Sequence, residues 1–95
     1  MTDSAAVIGQ IEDAHIHVYY DDGSKAKAEV LRTKLESAFP DAKFGRWHHK
    51  PVGPHPEWSY QVHVPGEMFP ISVPMTAIER AGLTIFVHHN TSEAQ

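Results

Sequence analysis

Residues 12–20 have the sequence EDAHIHVYY, in which two kinds of side chain alternate. Successive side chains of an extended chain point to opposite faces. His15, His17 and Tyr19 therefore fall on one face, and the apolar side chains between them fall on the other. β-Branched and aromatic residues favour strands. The segment predicts a β-strand with one core-facing side and one imidazole-bearing side.

The segments that follow this strand predict a βαββαβ order of elements. Asp21-Asp22-Gly23-Ser24 offers turn and helix-capping residues. Apolar residues then recur at three- and four-residue spacing through Phe39, as on the buried face of a helix. Later segments are rich in alternating, β-branched and aromatic residues, which favour strands. The predicted elements after the first strand are a helix over 25–39, strands over 43–49 and 58–64, a helix over 67–81 and a strand over 83–88.

The second predicted helix contains two prolines, Pro70 and Pro74. A proline inside a helix removes one backbone hydrogen bond and clashes with the preceding turn. We therefore expect either a kinked helix, or a loop followed by a helix that begins near Pro74, because the first turn of a helix tolerates proline.

This order of elements is that of a ferredoxin-like α+β sandwich. Its four-stranded antiparallel sheet has the order 4-1-3-2, and both helices cover one face. The other face is open in a monomer, where its histidine and aromatic side chains suit a partner subunit. We further expect strands one and three to run parallel. The starts of these two strands would then share a sheet edge with the ends of strands two and four.

The composition fits one globular domain over residues 1–95, with 1–10 and 91–95 flexible. The chain has no cysteine, which excludes disulfides, thiolate metal sites and thiol nucleophiles. The net charge is −4 and the 8 Lys and Arg residues form no basic stripe, so we expect no nucleic-acid partner. No apolar run reaches the length of a membrane span, and no signal-peptide pattern opens the chain. We therefore expect a cytoplasmic protein with no membrane partner.

Histidine is the unusual feature of the composition, with 8 copies, as many as Lys and Arg together. With the strand directions expected above, all of them except His63 gather at one end of the sheet. Imidazole is the commonest metal ligand among side chains. A site of imidazole and carboxylate suits iron(II), zinc, manganese or copper. The candidate carboxylates at this end are Glu12, Asp13 and Glu57.

Three blocks of the sequence resemble the DOPA 4,5-dioxygenase family of small, extradiol-type enzymes that cleave aromatic rings. The blocks are HIHVYY at 15–20, KPVGPHP at 50–56 with the aromatic strand after it, and GLTIFVHHNT at 82–91. They occur in the family's order and span about four-fifths of the chain. KPVGPHP is the most specific block. Position 89 is His where the family usually has proline, and relatives generally continue after this point with a segment that contains His and Trp.

The resemblance implies a ferredoxin-like fold, a homodimer and a metal site built on histidines. The matching positions in this chain are His15, His17, His55 and His88. Iron(II) is the implied metal, with zinc or another divalent ion as the alternative. The implied substrates are dioxygen and DOPA or a similar catechol, of which one ring carbon–carbon bond beside the diol is cleaved.

Within this resemblance, we predict that His17 or His48 acts as the general acid–base and that Tyr19 and Trp58 contact the substrate. Two other functions stay open. The chain could be a dimeric module of the same fold that binds a metal or an aromatic ligand without turnover, which the shorter C-terminal end favours. It could also be a structural domain whose histidines form an exposed polar rim.

Overall fold

The structure, a computed structural model, describes residues 9–49 and 58–91. The loop expected at 50–56, His55 within it, and most of the two ends expected to be flexible lie outside the described residues. The elements in chain order are β1 (Ile11–Tyr20), α1 (Lys25–Ala38), β2 (Lys43–Phe44), β3 (Trp58–Pro65), a 3₁₀ turn (Gly66–Met68), α2 (Phe69–Glu79) and β4 (Thr84–Thr91).

The four strands form one antiparallel sheet in the order β2-β3-β1-β4. This order confirms the ferredoxin-like arrangement. The expectation that strands one and three run parallel is wrong, because β1 pairs antiparallel with both β3 and β4. The helical crossover makes β1 and β2 run in the same direction. Because β3 pairs antiparallel with β2, it must also run antiparallel to β1. The start of β1 therefore meets the ends of β3 and β4.

Three elements differ most from their predicted bounds, and among them β4 continues three residues beyond its predicted end. The β2 ladder is two residues long, and an isolated bridge between His48 and Ser59 continues the pairing further along the chain. The helix α2 is continuous through Pro74, so a helix beginning near Pro74 is wrong. Pro70 takes the tolerated place in the first turn, where a backbone N–H has no partner within the helix. No helix in the described part of the chain has the length and apolar composition needed to cross a bilayer.

The core lies between the two helices and one face of the sheet. The apolar side chains of β1 interdigitate there with those of β3 and with the predicted apolar stripe of α1. The buried hydroxyl of Tyr60 donates a 3.0 Å hydrogen bond to the Ala28 carbonyl, which satisfies a polar group that would otherwise be costly to bury. The buried apolar residues are Ala14, Ile16, Val18, Tyr20, Ala28, Leu31, Leu35, Phe39, Tyr60, Val62, Val64 and Leu83.

A close backbone approach ties the 3₁₀ turn to the start of β1. A Cβ atom at residue 66 would overlap the carbonyl oxygen of Ile11 and lie 2.9 Å from that of Glu12. Both neighbours are backbone atoms of a paired strand, so they cannot move aside cheaply. We expect Gly66→Ala to destabilise the fold by about 2–3 kcal/mol, which corresponds to a fall of at least about 10 °C in Tm.

Gly23→Ala is the matched control, because its Cβ would make only ordinary van der Waals contact with Asp21. Thermal unfolding followed by circular dichroism compares the two variants. Equal melting temperatures for both would contradict the proposed close approach.

Candidate metal centre

Three histidines form a row across the open face of the sheet, because the strand register places them side by side. His15 on β1 is opposite His63 on β3 and opposite His88 on β4. The ring centroid of His15 is 4.8 Å from that of His63 and 5.9 Å from that of His88. His17 lies two residues further along the same face of β1, with its ring centroid 6.3 Å from that of His15. The side of the sheet that carries these four side chains is called the histidine face below.

Asp13 adds a carboxylate beside this row. Its Oδ2 atom is 2.9 Å from Nε2 of His63, and its Oδ1 atom accepts a 2.7 Å hydrogen bond from Nδ2 of Asn90. The hydrogen bonds with His63 and then with Asn90 hold the pKa of Asp13 below its usual value. The carboxylate is therefore ionised at neutral pH, and side chains from two neighbouring strands fix its orientation.

His15 sits at the centre of the row and is partly buried. This burial lowers the pKa of His15 below its usual value, and the positive charge of a protonated His63 would lower it further. The negative charge of Asp13 acts in the opposite direction. A neutral imidazole keeps one nitrogen lone pair free, which a metal ligand requires.

Asp13, His15 and His63 each present one ligand atom, and these atoms lie within 4.8 Å of one another. Within the described ranges, no other group of three histidine or acidic residues meets this spacing. Two imidazoles and a carboxylate are the donor set of the non-haem iron(II) oxygenases, and zinc accepts the same ligands. The three side chains therefore fit a divalent metal ion by number, chemistry and spacing.

The sequence predicted His48 near His15 and His63 away from it, and the structure shows the reverse. His48 bridges to Ser59, which is opposite Tyr19, so it lies four residues along β1 from His15. The expectation that the end of strand two meets the start of strand one is wrong, because β2 runs in the same direction as β1. His63, which was expected elsewhere, is the histidine that faces His15 on this side.

The other predicted site residues divide between the two faces of the sheet. His17 and Tyr19 share the face of His15, and only 8% of His17 is exposed. Phe86 on β4 is opposite His17, with the ring centroids 5.5 Å apart. Trp58 is the register partner of the buried Tyr20 and packs against the core. Of the two predicted substrate contacts, Tyr19 is the one on the histidine face, and the roles of both stay predictions.

Asn90 is a residue of this site that sequence patterns did not indicate. Its place opposite Asp13 depends on a shift in the β1–β4 register between Ile11 and Asp13. Such an irregularity does not change the alternation of apolar and polar residues, so the sequence pattern does not predict it. His63, by contrast, alternates with buried Val62 and Val64, so its face could be predicted once the strand directions were correct.

Comparison with known proteins gives consistent matches. Residues 14–95 match the Dopa 4,5-dioxygenase family. The chain is 32% identical over 101 residues to DOPA 4,5-dioxygenase of Amanita muscaria, covering 97% of this chain and 44% of that protein. It is 30% identical over 80 residues to an uncharacterized 21.2 kDa protein of Botryotinia fuckeliana, covering 80% of this chain and 44% of that protein. The chain therefore spans less than half the length of these curated relatives.

A solved structure shows the same fold. The crystal structure of a "putative dioxygenase" from Nostoc punctiforme superposes with a TM-score of 0.82 at 37% sequence identity. The match covers 97% of this chain and 76% of the other.

The geometry predicts which residues bind a metal ion. Removing one of three ligands sharply lowers affinity, so Asp13→Asn and His63→Ala are each expected to weaken Co(II) binding at least about tenfold. Titration calorimetry and the visible absorption of Co(II) measure this on metal-free protein. His89→Ala is the matched control, because it removes the neighbouring imidazole of β4, whose ring lies 6.1 Å from that of Phe69 at the start of α2.

Equal affinity for Co(II) in Asp13→Asn, His63→Ala and His89→Ala would contradict this ligand set. Loss of affinity only in His17→Ala and His88→Ala would instead select the ligands that the family resemblance implies.

Proposed function

This chain belongs to the Dopa 4,5-dioxygenase family, and we propose that it is a metal-dependent dioxygenase that opens the ring of a catechol. The observation that carries the proposal is the group of Asp13, His15 and His63, which offers the donor set of a non-haem metal centre. The family match supplies the reaction class. DOPA or a similar catechol is the proposed substrate, together with dioxygen.

Iron(II) is the proposed metal, and zinc or another divalent ion is the alternative. Asp13, His15 and His63 would hold it on the open face of the sheet. Iron(II) bound there would provide a common site for the two catechol oxygens and a path for electrons from the ring to dioxygen, whereas zinc, which has no redox chemistry, would provide only the first. The set His15, His17, His55 and His88, implied by the resemblance, is the competing ligand proposal. Both sets contain His15, so in either case the metal would lie on the histidine face.

Asp13 contributes the negative charge of the site. Its carboxylate would offset part of the charge of a divalent cation, and the hydrogen bond from Asn90 keeps one oxygen oriented. Because β1 is hydrogen-bonded to β3 on one side and to β4 on the other, these donors stand on a rigid sheet. A preorganised ligand set loses little entropy when the ion binds.

Proton transfer is assigned to a histidine outside the metal triad. A catechol hydroxyl must lose its proton for the oxygen to bind as an anion, and a neutral imidazole nitrogen accepts such a proton. His17 is the first candidate, since it is buried beside His15 on the same face. His48 is the second, since it lines a cavity together with His63. Tyr19 is the proposed substrate contact further along β1.

Oxygen consumption tests the proposed reaction directly. Metal-free protein is loaded anaerobically with iron(II) and then given a catechol and air. We expect one dioxygen consumed per catechol and a yellow semialdehyde, because both oxygen atoms enter the opened ring. Asp13→Asn and His63→Ala are expected to lower the rate at least about 100-fold, whereas His89→Ala serves as the matched control.

Other outcomes would select other functions. Stoichiometric metal without oxygen uptake from a panel of catechols would identify a binding module of the same fold. Absence of bound metal, with no change in Tm on adding metal, would leave the histidines as a structural polar rim. Analytical ultracentrifugation tests the homodimer that the resemblance implies.

A further inference from the structure

We propose that a cavity beside the candidate metal centre binds the carboxylate of the substrate, so that catechols with an anionic side chain are preferred. This inference rests on the proposed function. The cavity has a volume of about 280 Å³ and lies between β2 and β3. It is called the β2 cavity below. Its lining includes Lys43, Phe44, Arg46, His48, Gln61 and His63.

The charge of the β2 cavity is opposite to that of the whole chain. The chain carries a net charge of −4, yet the described residues that line this cavity include Lys43 and Arg46 and no acidic residue. Among the described residues, neither cation forms an ion pair, unlike Arg32 with Glu36 and Lys34 with Glu79. Two cations without an acidic neighbour among the described lining residues of the β2 cavity attract an anion.

The β2 cavity shares a wall with the candidate metal centre. His63 lines the cavity, and its Nε2 atom also contacts Asp13 of the metal triad. Lys43 is the register partner of His63 on the neighbouring strand, which puts their Cα atoms about 5 Å apart. A group attached to an aromatic ring at the metal centre could therefore reach Lys43 through a side chain of two or three carbons.

The wall that carries the cations is held in place before any ligand binds. The Gly45 amide donates a 2.8 Å hydrogen bond to the Gln61 carbonyl, and the His48 amide donates one of 2.8 Å to the Ser59 carbonyl. From the helix side, Nη1 of Arg32 donates a 2.7 Å bond to the Gly45 carbonyl. The segment on both sides of Arg46 is thus docked against β3. The backbone that carries the two exposed cations is therefore fixed, so that only their side chains need to be ordered when an anion binds.

The chemistry of the lining selects a carboxylate. The fork of Arg46 can donate two parallel hydrogen bonds to a carboxylate, and Lys43 adds a point charge. The Gln61 amide offers a further donor. The volume is close to the lower end of small-molecule sites, about 300 Å³, which suits one side chain of a substrate. A catecholamine that lacks a carboxylate would bring only an ammonium group to these two like charges, so catecholamines of that kind should be poor ligands.

Binding of simple aromatic acids tests the subsite without any turnover. On the metal-loaded protein, 3-phenylpropanoate is expected to bind about tenfold more tightly than the neutral 3-phenylpropanamide, which has the same shape. Lys43→Met and Arg46→Met should each remove most of this preference. Lys27→Met is the matched control, because it removes one exposed cation from α1. Nuclear magnetic resonance should show ligand-induced shifts at residues 43–48 and 61–63 of the unmodified protein.

Turnover then separates this inference from the proposed function. With 3,4-dihydroxyphenylpropanoate, Lys43→Met and Arg46→Met should raise KM about tenfold, and with 4-methylcatechol they should leave it unchanged. Equal binding of the acid and the amide would overturn the subsite even if catechols are cleaved. So would a rise in KM in Lys27→Met as large as that in Lys43→Met and Arg46→Met. A carboxylate preference in binding without any ring cleavage would support the subsite and overturn the proposed reaction.

Discussion

The pairing of β1 with strands on both of its sides is the constraint on which the rest of the structure depends. β3 and β4 both pair antiparallel with it over nearly its whole length. Because a shift of one residue would exchange the two faces, burial of Ala14, Ile16 and Val18 fixes the register. The same register brings His63 and His88 to the two sides of His15. The hydrophobic effect on one face therefore positions the ionisable groups on the other.

The candidate metal centre and the β2 cavity form one continuous surface along this face. Asp13 and Asn90 lie at the edge where β1 begins, and the histidine row follows. Lys43 and Arg46 lie beyond His63 on the side of β2. Negative charge is thus concentrated where a metal cation would bind, and positive charge where the anionic end of a substrate would lie. In the proposed function, this polarity would orient a catechol with its diol toward Asp13 and its side chain toward β2.

Much of this arrangement could be predicted from the sequence, because local patterns carry it. The alternation in residues 12–20 gives the strand and assigns His15, His17 and Tyr19 to one face, and the apolar stripe ending at Phe39 gives α1. The relative direction of β1 and β3 is a property of the whole topology and has no local signal. Because the predicted direction of β3 was wrong, the prediction put His48 near the site and His63 away from it. The hydrogen bond between Asn90 and Asp13 depends on a register shift that no residue pattern predicts.

The identity of the metal ligands is the central claim, and anomalous X-ray diffraction from crystals loaded with Co(II) or iron(II) tests it most directly. We expect one anomalous peak about 2.0–2.2 Å from an oxygen of Asp13 and from a nitrogen of each of His15 and His63. A peak bonded to His17 and His88, with Asp13 and His63 still joined to each other, would contradict the account.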